Sequence, residues 1–365
     1  MIHNLRRETI NQSTMPIFHA EDLKTKIAQI IRATGSSEVE ALRVCTNLVE
    51  ANLKGHDSHG AGMIPRYIES FQEGSLQPNQ SIKVTSDLGS MLVLDGQGGF
   101  GQIVGEEAIV MGISRAKKLG SCIVSLAHAH HLGRIGHFAE MAAAEGLVSI
   151  HLVNVISAPV VAVWGGGIGR HGTNPFCIGV PITNREPFIL DFATSRSAQG
   201  KMRVAHNAGK QVSPGFLIDQ QGLPTTDPSV VVKPDAAGNL GALMPFGEHK
   251  GSGLAIACEL LGGALTGSGT WKPPKIKKRA IWNGMLSILI NPVSMSSKEQ
   301  FELETNSFID WVYQSPANEA GVPVMLAGEP ERKMMAIRMA DGFEIDDKTW
   351  QDICEAGKKV GVNLN

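Results

Sequence analysis

Four of the chain's 12 histidines, His59, His128, His130 and His131, sit in or beside glycine-containing turns, where missing side chains let another molecule approach the backbone. Histidine titrates nearest neutral pH, so these four are candidates for giving and taking a proton. Moving a hydride from an alcohol needs such a base, a cation or donor for a substrate carboxylate, and a pocket that fixes a nicotinamide ring. Metal binding is the rival use of clustered histidines. Against it, the cluster brings no nearby cysteine or carboxylate, and His130 and His131, as neighbours, would point apart on a strand. Spacing alone leaves a hydrogen-bonded structural histidine as the plain alternative for each.

The sequence marks most of the elements that must position these residues. Leu23, Ile27, Ile30 and Ile31 recur at helical spacing, Gly35 can close that helix, and Ser37 with Glu40 can form a capping box for a second one ending at Gly55. Residues 55–60, Gly-His-Asp-Ser-His-Gly, form a polar turn leading into a short helix over 64–71. From residue 90, strands at 91–94, 122–126 and 148–153 alternate with helices at 102–118 and 135–144. Beyond residue 155, short apolar runs at 177–180, 188–192, 216–218 and 230–232 are separated by Pro, Gly and Asn, which predicts an antiparallel or mixed sheet. A helix at 253–265, a strand at 286–290 and helices at 298–313 and 350–359 complete the α/β pattern.

At 365 residues and 39.0 kDa, the chain suits two or three packed domains at roughly 150 residues each. Lys plus Arg (33) nearly balances Asp plus Glu (35), without the basic stripe that nucleic acid requires, so the expected partner is a small molecule. Five cysteines lie far apart with no Cys-x-x-Cys spacing, which argues against a disulfide framework and a thiolate zinc site. Arg6 and Arg7 are followed by no apolar stretch, and the apolar region 146–164 is broken by His151, Asn154 and Pro159; a cytoplasmic protein without a membrane span is expected.

The pattern Gly-x-Gly-x-x-Gly occurs at 96–101 and again at 167–172. The first copy lies between an expected strand and helix, where a Rossmann phosphate loop belongs, but the next strand runs into Ala127-His128-Ala129-His130 instead of an acidic residue for the ribose. A tight turn packing a helix on a sheet is the better reading. The second copy runs into Asn174-Pro175 and a β-like segment, so it lacks the helix N-terminus that would hold a phosphate.

Six runs in one order, GHDSHG (55–60), HHLGRIGHFAE (130–140), HGTNPF (171–176), LDFATS (190–195), DQQGLPTTDP (219–228) and EHKGSG (248–253), resemble the malate/L-lactate dehydrogenase family, which includes ureidoglycolate and sulfolactate dehydrogenases. Residues 51–67 and 282–292 are most similar to its hydroxycarboxylate dehydrogenase branch. The resemblance implies a homodimer with a non-Rossmann, largely antiparallel cofactor-binding sheet. It further implies a helical region at 16–75 packed with 295–365, a central region at 76–125 and 255–294, and a cofactor domain at 126–254.

By the same resemblance His131 is the acid/base and His59 lies near nicotinamide and substrate. NAD contacts, with NADP an alternative, would fall on Gly133, Arg134 and Ile135, on Ile189, Leu190, Asp191, Phe192 and Ala193, on His249 and Lys250, and on Asn283, Gly328, Glu329, Pro330 and Glu331. Asp191, after an apolar strand, could accept from both ribose hydroxyls and so favour NADH over NADPH. Many relatives have an aromatic residue at Ser252 and an arginine at Met63. Without that arginine, Arg134 becomes the candidate for the substrate carboxylate and Arg66 the fallback, with Met63 and Asn174 as further substrate-side residues. A cyclic imino-acid reductase and a nucleotide-binding protein without catalysis are the alternatives, and NADH consumption with any 2-oxo acid would exclude the second.

Overall fold

The computed structural model describes residues 16–207, 209–272, 280–318 and 321–364. The described helices are α1 (Ala20–Arg32), α2 (Glu38–Leu53), α3 (Ile64–Gln72), α4 (Gly101–Leu119), α5 (Gly136–Ala144), α6 (Gln199–Asn207), α7 (His249–Cys258), α8 (Lys298–Tyr313), α9 (Glu329–Asp341) and α10 (Asp347–Lys359). The strands are β1 (Ile17–Phe18), β2 (Lys83–Asp87), β3 (Met91–Asp95), β4 (Ser121–His130), β5 (Val148–Ile156), β6 (Val161–Ala162), β7 (Gly169–His171), β8 (Phe176–Val180), β9 (Phe188–Phe192), β10 (Leu217–Ile218), β11 (Pro224–Thr225), β12 (Ala242–Leu243), β13 (Trp282–Ile290) and β14 (Phe343–Glu344).

Seven strands make the main sheet in the order β2-β3-β4-β13-β5-β8-β9, and only the β3–β4 pair is parallel. The largely antiparallel, non-Rossmann sheet is therefore present. β13 inserts between β4 and β5 and pairs with both, so one sheet draws strands from the expected central and cofactor regions, and the expected boundary at 125/126 cuts through β4. A second sheet, β11-β10-β12-β6-β7, covers its own small core of Val161, Leu217, Val231 and Leu243.

Small residues let α4 lie close on the main sheet. Gly101, Gly105, Ala108, Gly112 and Ala116 recur at helical spacing and are buried. A Cβ on Gly105 would stand 2.5 Å from the Phe138 ring, and one on Gly112 would stand 2.6 Å from Val124. The N-terminal helices meet the C-terminal segment in another core, where Leu23, Ile27, Leu48, Ile64 and Tyr67 join Phe343, Ile353 and Ala356. β1 and β14 pair across the same junction.

Ser37 caps α2 by accepting from the Glu40 N–H, but the Glu40 carboxylate does not return the bond. It accepts from the Asn79 N–H instead, while Asn79 Oδ1 accepts from the Ser37 N–H, so a distant loop completes the box. The expected strand at 230–232 is a short 3-10 turn, Pro228–Val231, started by Pro228 and capped by Asp227, which accepts from the Ser229 N–H. The helix expected from 253 begins at His249 and continues as a π segment, Glu259–Leu265, whose Gly262 and Gly263 press on Asn154 of β5. A β-bulge sets Ala127 and His128 of β4 opposite the single residue Gly284, with His128 at φ 50°. Among the described residues no helix is long and apolar enough to cross a membrane.

Candidate active site

β4 delivers His130 and His131 to the point where the 55–60 turn and α3 meet the sheet. His131 stands at the centre of a hydrogen-bond chain: its Nε2 lies 3.2 Å from His59 Nδ1 and its Nδ1 lies 2.7 Å from Tyr67 Oη. Gln102 Nε2, from the first turn of α4, donates to Tyr67 Oη at 2.7 Å. The His59 and His131 rings are stacked, 8° from parallel. Tyr67 and Gln102 carry no motif, and sequence reading missed both; each arrives from a separate helix and is defined only by the fold.

All three histidines are held neutral. Burial, with smaller contributions from His56 and Arg134, pushes His59 down to about 4. Burial and then Arg66 push His130 down to about 3, and neither of its ring nitrogens has a hydrogen-bond partner. His131 is held well below its usual value by burial first, then by His59, His130 and Arg66. Burial raises the Tyr67 hydroxyl, which therefore stays protonated as a donor.

The loop after His131 is pinned from below. Asn283 Oδ1 accepts from the Leu132 N–H at 2.9 Å, and its amide donates to the Asn154 carbonyl, so Asn283 is a buried positioning residue. Gly133 takes φ 78°, a left-handed conformation that favours glycine, beside the partnerless Oδ1 of Asn47. Gly136 opens α5, and its N–H donates to Asp191 Oδ2 at 2.7 Å. Burial raises Asp191, while that N–H and Arg134 oppose the shift.

Arg134 is 4% exposed and already holds a carboxylate of its own chain, Glu140, at 2.5 Å, with Glu50 at 3.8 Å. Lys54 bonds the same two glutamates. Burial works against the Arg134 charge, but Glu140, Asp191 and Glu50 together outweigh it and raise the guanidinium. Arg134 is thus engaged within its own chain, and Arg66 is the other cation here, its field reaching both His130 and His131. Asn174 is also spent. It is fully buried, accepts from the Val155 N–H and donates to Ala255 and Glu259, so it ties β5 to α7 and no substrate role is carried forward. Met63 packs on the N-terminal core.

The 328–331 segment joins this neighbourhood. Ile189 donates its N–H to the Ala327 carbonyl, Gly328 lies against Ile189, and Glu331 meets His56 Nε2 at 3.3 Å. Glu329 is held by the Tyr313 hydroxyl and Pro330 starts α9. Leu190, Phe192 and Ala193 continue along or just past β9, with the Phe192 ring against Phe176 and Phe246. Ile135 is buried beneath α5, whereas His249 and Lys250 are exposed on the first turn of α7. Glu50, His137 and Glu140 bring ligand atoms within 4.8 Å of one another, but Lys54, Arg134 and Glu106 already satisfy them.

A cleft of about 400 Å³ shares Lys54 and Glu140 with this charged cluster and extends past Pro187 and Arg332. A second, of about 520 Å³, opens beside Gly98, His128 and Trp282 and contains neither His59 nor His131. Residues 18–354 match the family described as malate/L-lactate dehydrogenase. The chain belongs to that family. It is 43% identical over 347 residues to hydroxycarboxylate dehydrogenase B of Escherichia coli O157:H7, with 94% of each chain covered. A solved E. coli structure of the malate/lactate dehydrogenase type superposes with a TM-score of 0.91 at 42% identity, covering 96% of each chain. Delta1-piperideine-2-carboxylate reductase from Pseudomonas syringae superposes at 0.80 with 27% identity, covering 93% of this chain and 99% of that one.

Proposed function

We propose that the protein is a nicotinamide-dependent 2-hydroxycarboxylate dehydrogenase in which His131 exchanges the proton of the substrate hydroxyl. The observation that carries this is the His59–His131–Tyr67 chain, a buried imidazole with both nitrogens held in defined geometry. Reduced nicotinamide, when bound, supplies the hydride. The residues present fit such a cofactor: Asp191 offers a carboxylate beside Arg134 near the end of β9, and the cleft over Lys54 and Arg332 is lined by Glu140, the partner of Arg134. His131 protonates the carbonyl oxygen of a 2-oxo acid or deprotonates the hydroxyl in reverse, His59 orients the substrate on the Nε2 side, and Arg66 draws its carboxylate.

Asp191 supports NAD as the preferred cofactor, because its carboxylate would repel a 2′-phosphate. A cytoplasmic setting fits five buried, unpaired cysteines. A homodimer fits α8, where Leu303, Phe308 and Trp311 are exposed while Ile309 is buried. The test is His131→Ala, expected to lower turnover roughly 100-fold or more while NADH still binds. Near-normal turnover in the folded variant would remove His131 from the mechanism. The match to the piperideine-carboxylate reductase favours a second reading, reduction of a cyclic imino acid, and turnover on pyruvate, phenylpyruvate and such an imine separates the two.

A further inference from the structure

The hydroxyl of Tyr67 has one proton and two partners, so the chain through it must run in one direction at a time. In the structure it runs outward from α4. Gln102 Nε2 donates to Tyr67 Oη, which leaves the Tyr67 proton to donate to His131 Nδ1. His131 then carries its own proton on Nε2 and donates it to His59 Nδ1. That tautomer is neutral and has no lone pair at Nε2, so it cannot act there as a base, and as an acid it is weak. Gln102 Oε1, meanwhile, is buried with no hydrogen-bond partner.

We infer that Gln102 is a positioning residue which, through Tyr67, selects the tautomer and protonation state of His131. Rotating the Gln102 amide by half a turn puts Oε1 where Nε2 stands and converts a donor into an acceptor. Tyr67 then turns its O–H toward Gln102 and accepts from His131 Nδ1–H. With a proton fixed on Nδ1, Nε2 carries the lone pair that takes up or releases the reacting proton, with His59 Nδ1 beside it. His131 takes one proton from solvent to become the imidazolium, gives it from Nε2 to the carbonyl oxygen, and is left as the neutral Nδ1–H form, which is the base for the reverse reaction. One proton and one hydride are consumed per oxo acid reduced. The partnerless oxygen of Gln102 is thus the acceptor that the productive direction requires.

The groups acting on His131 are His59 from the 55–60 turn, with His56 and Arg134 behind it, His130 from β4, and Arg66 and Tyr67 from α3. All the charged ones are cationic or become so, and they oppose the imidazolium. A terminal acceptor reached through Tyr67 is the contact in this chain that favours it.

The inference rests on the acid/base reading of His131, but its test does not depend on turnover. Imidazole 15N chemical shifts distinguish the two tautomers, and the His131 signals are assigned by their loss in His131→Ala. The full chain is expected to show Nε2–H without cofactor at neutral pH. Gln102→Glu, whose carboxylate can only accept when ionised, is expected to move the proton to Nδ1 and to raise the pH at which reductive kcat/KM declines by about one unit, a tenfold change in the protonation equilibrium. The same substitution in a Tyr67→Phe background is expected to do neither. An unchanged tautomer in folded Gln102→Glu, or an equal shift without the Tyr67 hydroxyl, would overturn the inference. Should Gln102→Glu not fold, Gln102→Met decides with the same readouts: it is expected to lower reductive kcat roughly 10-fold with KM nearly unchanged, and wild-type kinetics with an unchanged spectrum would overturn the proposal. Loss of activity in His131→Ala without these effects separates a failed inference from a failed assignment of His131.

Discussion

Two glycine-containing loops flank the α4–β4 unit in sequence and meet at one edge of the main sheet, and they use their glycines for different purposes. In the 96–101 loop the space left by absent side chains is filled by the protein itself: Gly96 and Gly98 donate to the Ala127 and His128 carbonyls, and Gly99 accepts from the His130 N–H. A Cβ on Gly101 would stand 2.4 Å from the His131 carbonyl oxygen. In the 131–136 loop, Gly133 and Gly136 instead bring the main chain beside Asn47, Arg134 and Asp191, which are polar side chains able to face a ligand. Both loops follow a strand and precede a helix. What separates them is whether the helix N-terminus meets carbonyls and packed chain or a carboxylate with further hydrogen-bonding capacity.

Substitutions at the two helix starts sharpen that contrast. Gly101→Ala forces a methyl into rigid main chain and is expected to cost about 3 kcal/mol, the upper end for overpacking, which denaturant titration would measure. NADH affinity in the remaining folded protein should hold. A stable variant with weakened NADH binding would instead make 96–101 a phosphate cradle. Acid should act on the buried histidines. The neutral forms of His59, His130 and His151 are favoured, at about 4, 3 and 3, so the unfolded chain binds more protons below pH 6.5. Stability then falls as pH drops from 6.5 toward those values, by up to about 1.4 kcal/mol per pH unit for each group. A Tm that stays level between pH 7 and 5 would contradict this. Gly136→Ala should cost about 2 kcal/mol, because its methyl meets the Arg134 guanidinium at 2.3 Å, a group tied to Glu140; its further effect is expected in a several-fold higher KM for NADH. Asp191 gives the smallest expected effect, a specificity constant higher with NADH than with NADPH, and the reverse preference would displace it from the ribose.

Much of the scaffold was legible because its signals are local. Ser37 and Gly55 bound α2, and the 298–313 helix has its expected limits. α9 was not legible, since none of its residues is buried and its apolar residues form no stripe. His131 and His59 could be singled out from residue type, glycine neighbours and family likeness. The partner of Arg134 was not legible, because nothing in sequence says that Glu140, one turn and a half along the next helix, pairs with it. Tyr67 and Gln102 lie 64 and 29 residues from His131, and only the packing of α3 and α4 against β4 gives them meaning.

The bulge at Ala127 and His128 has a consequence for which imidazole joins the hydrogen-bond chain. Side chains on a strand alternate with a period of two, so one surplus residue shifts the phase of everything beyond it by half a cycle. With adjacent histidines at 130 and 131, that phase works as a selector between two chemically identical rings, one left without hydrogen bonds in the core and the other wired to Tyr67 and His59. Deleting His128 would remove no reactive group, yet it would exchange the faces that the two rings present.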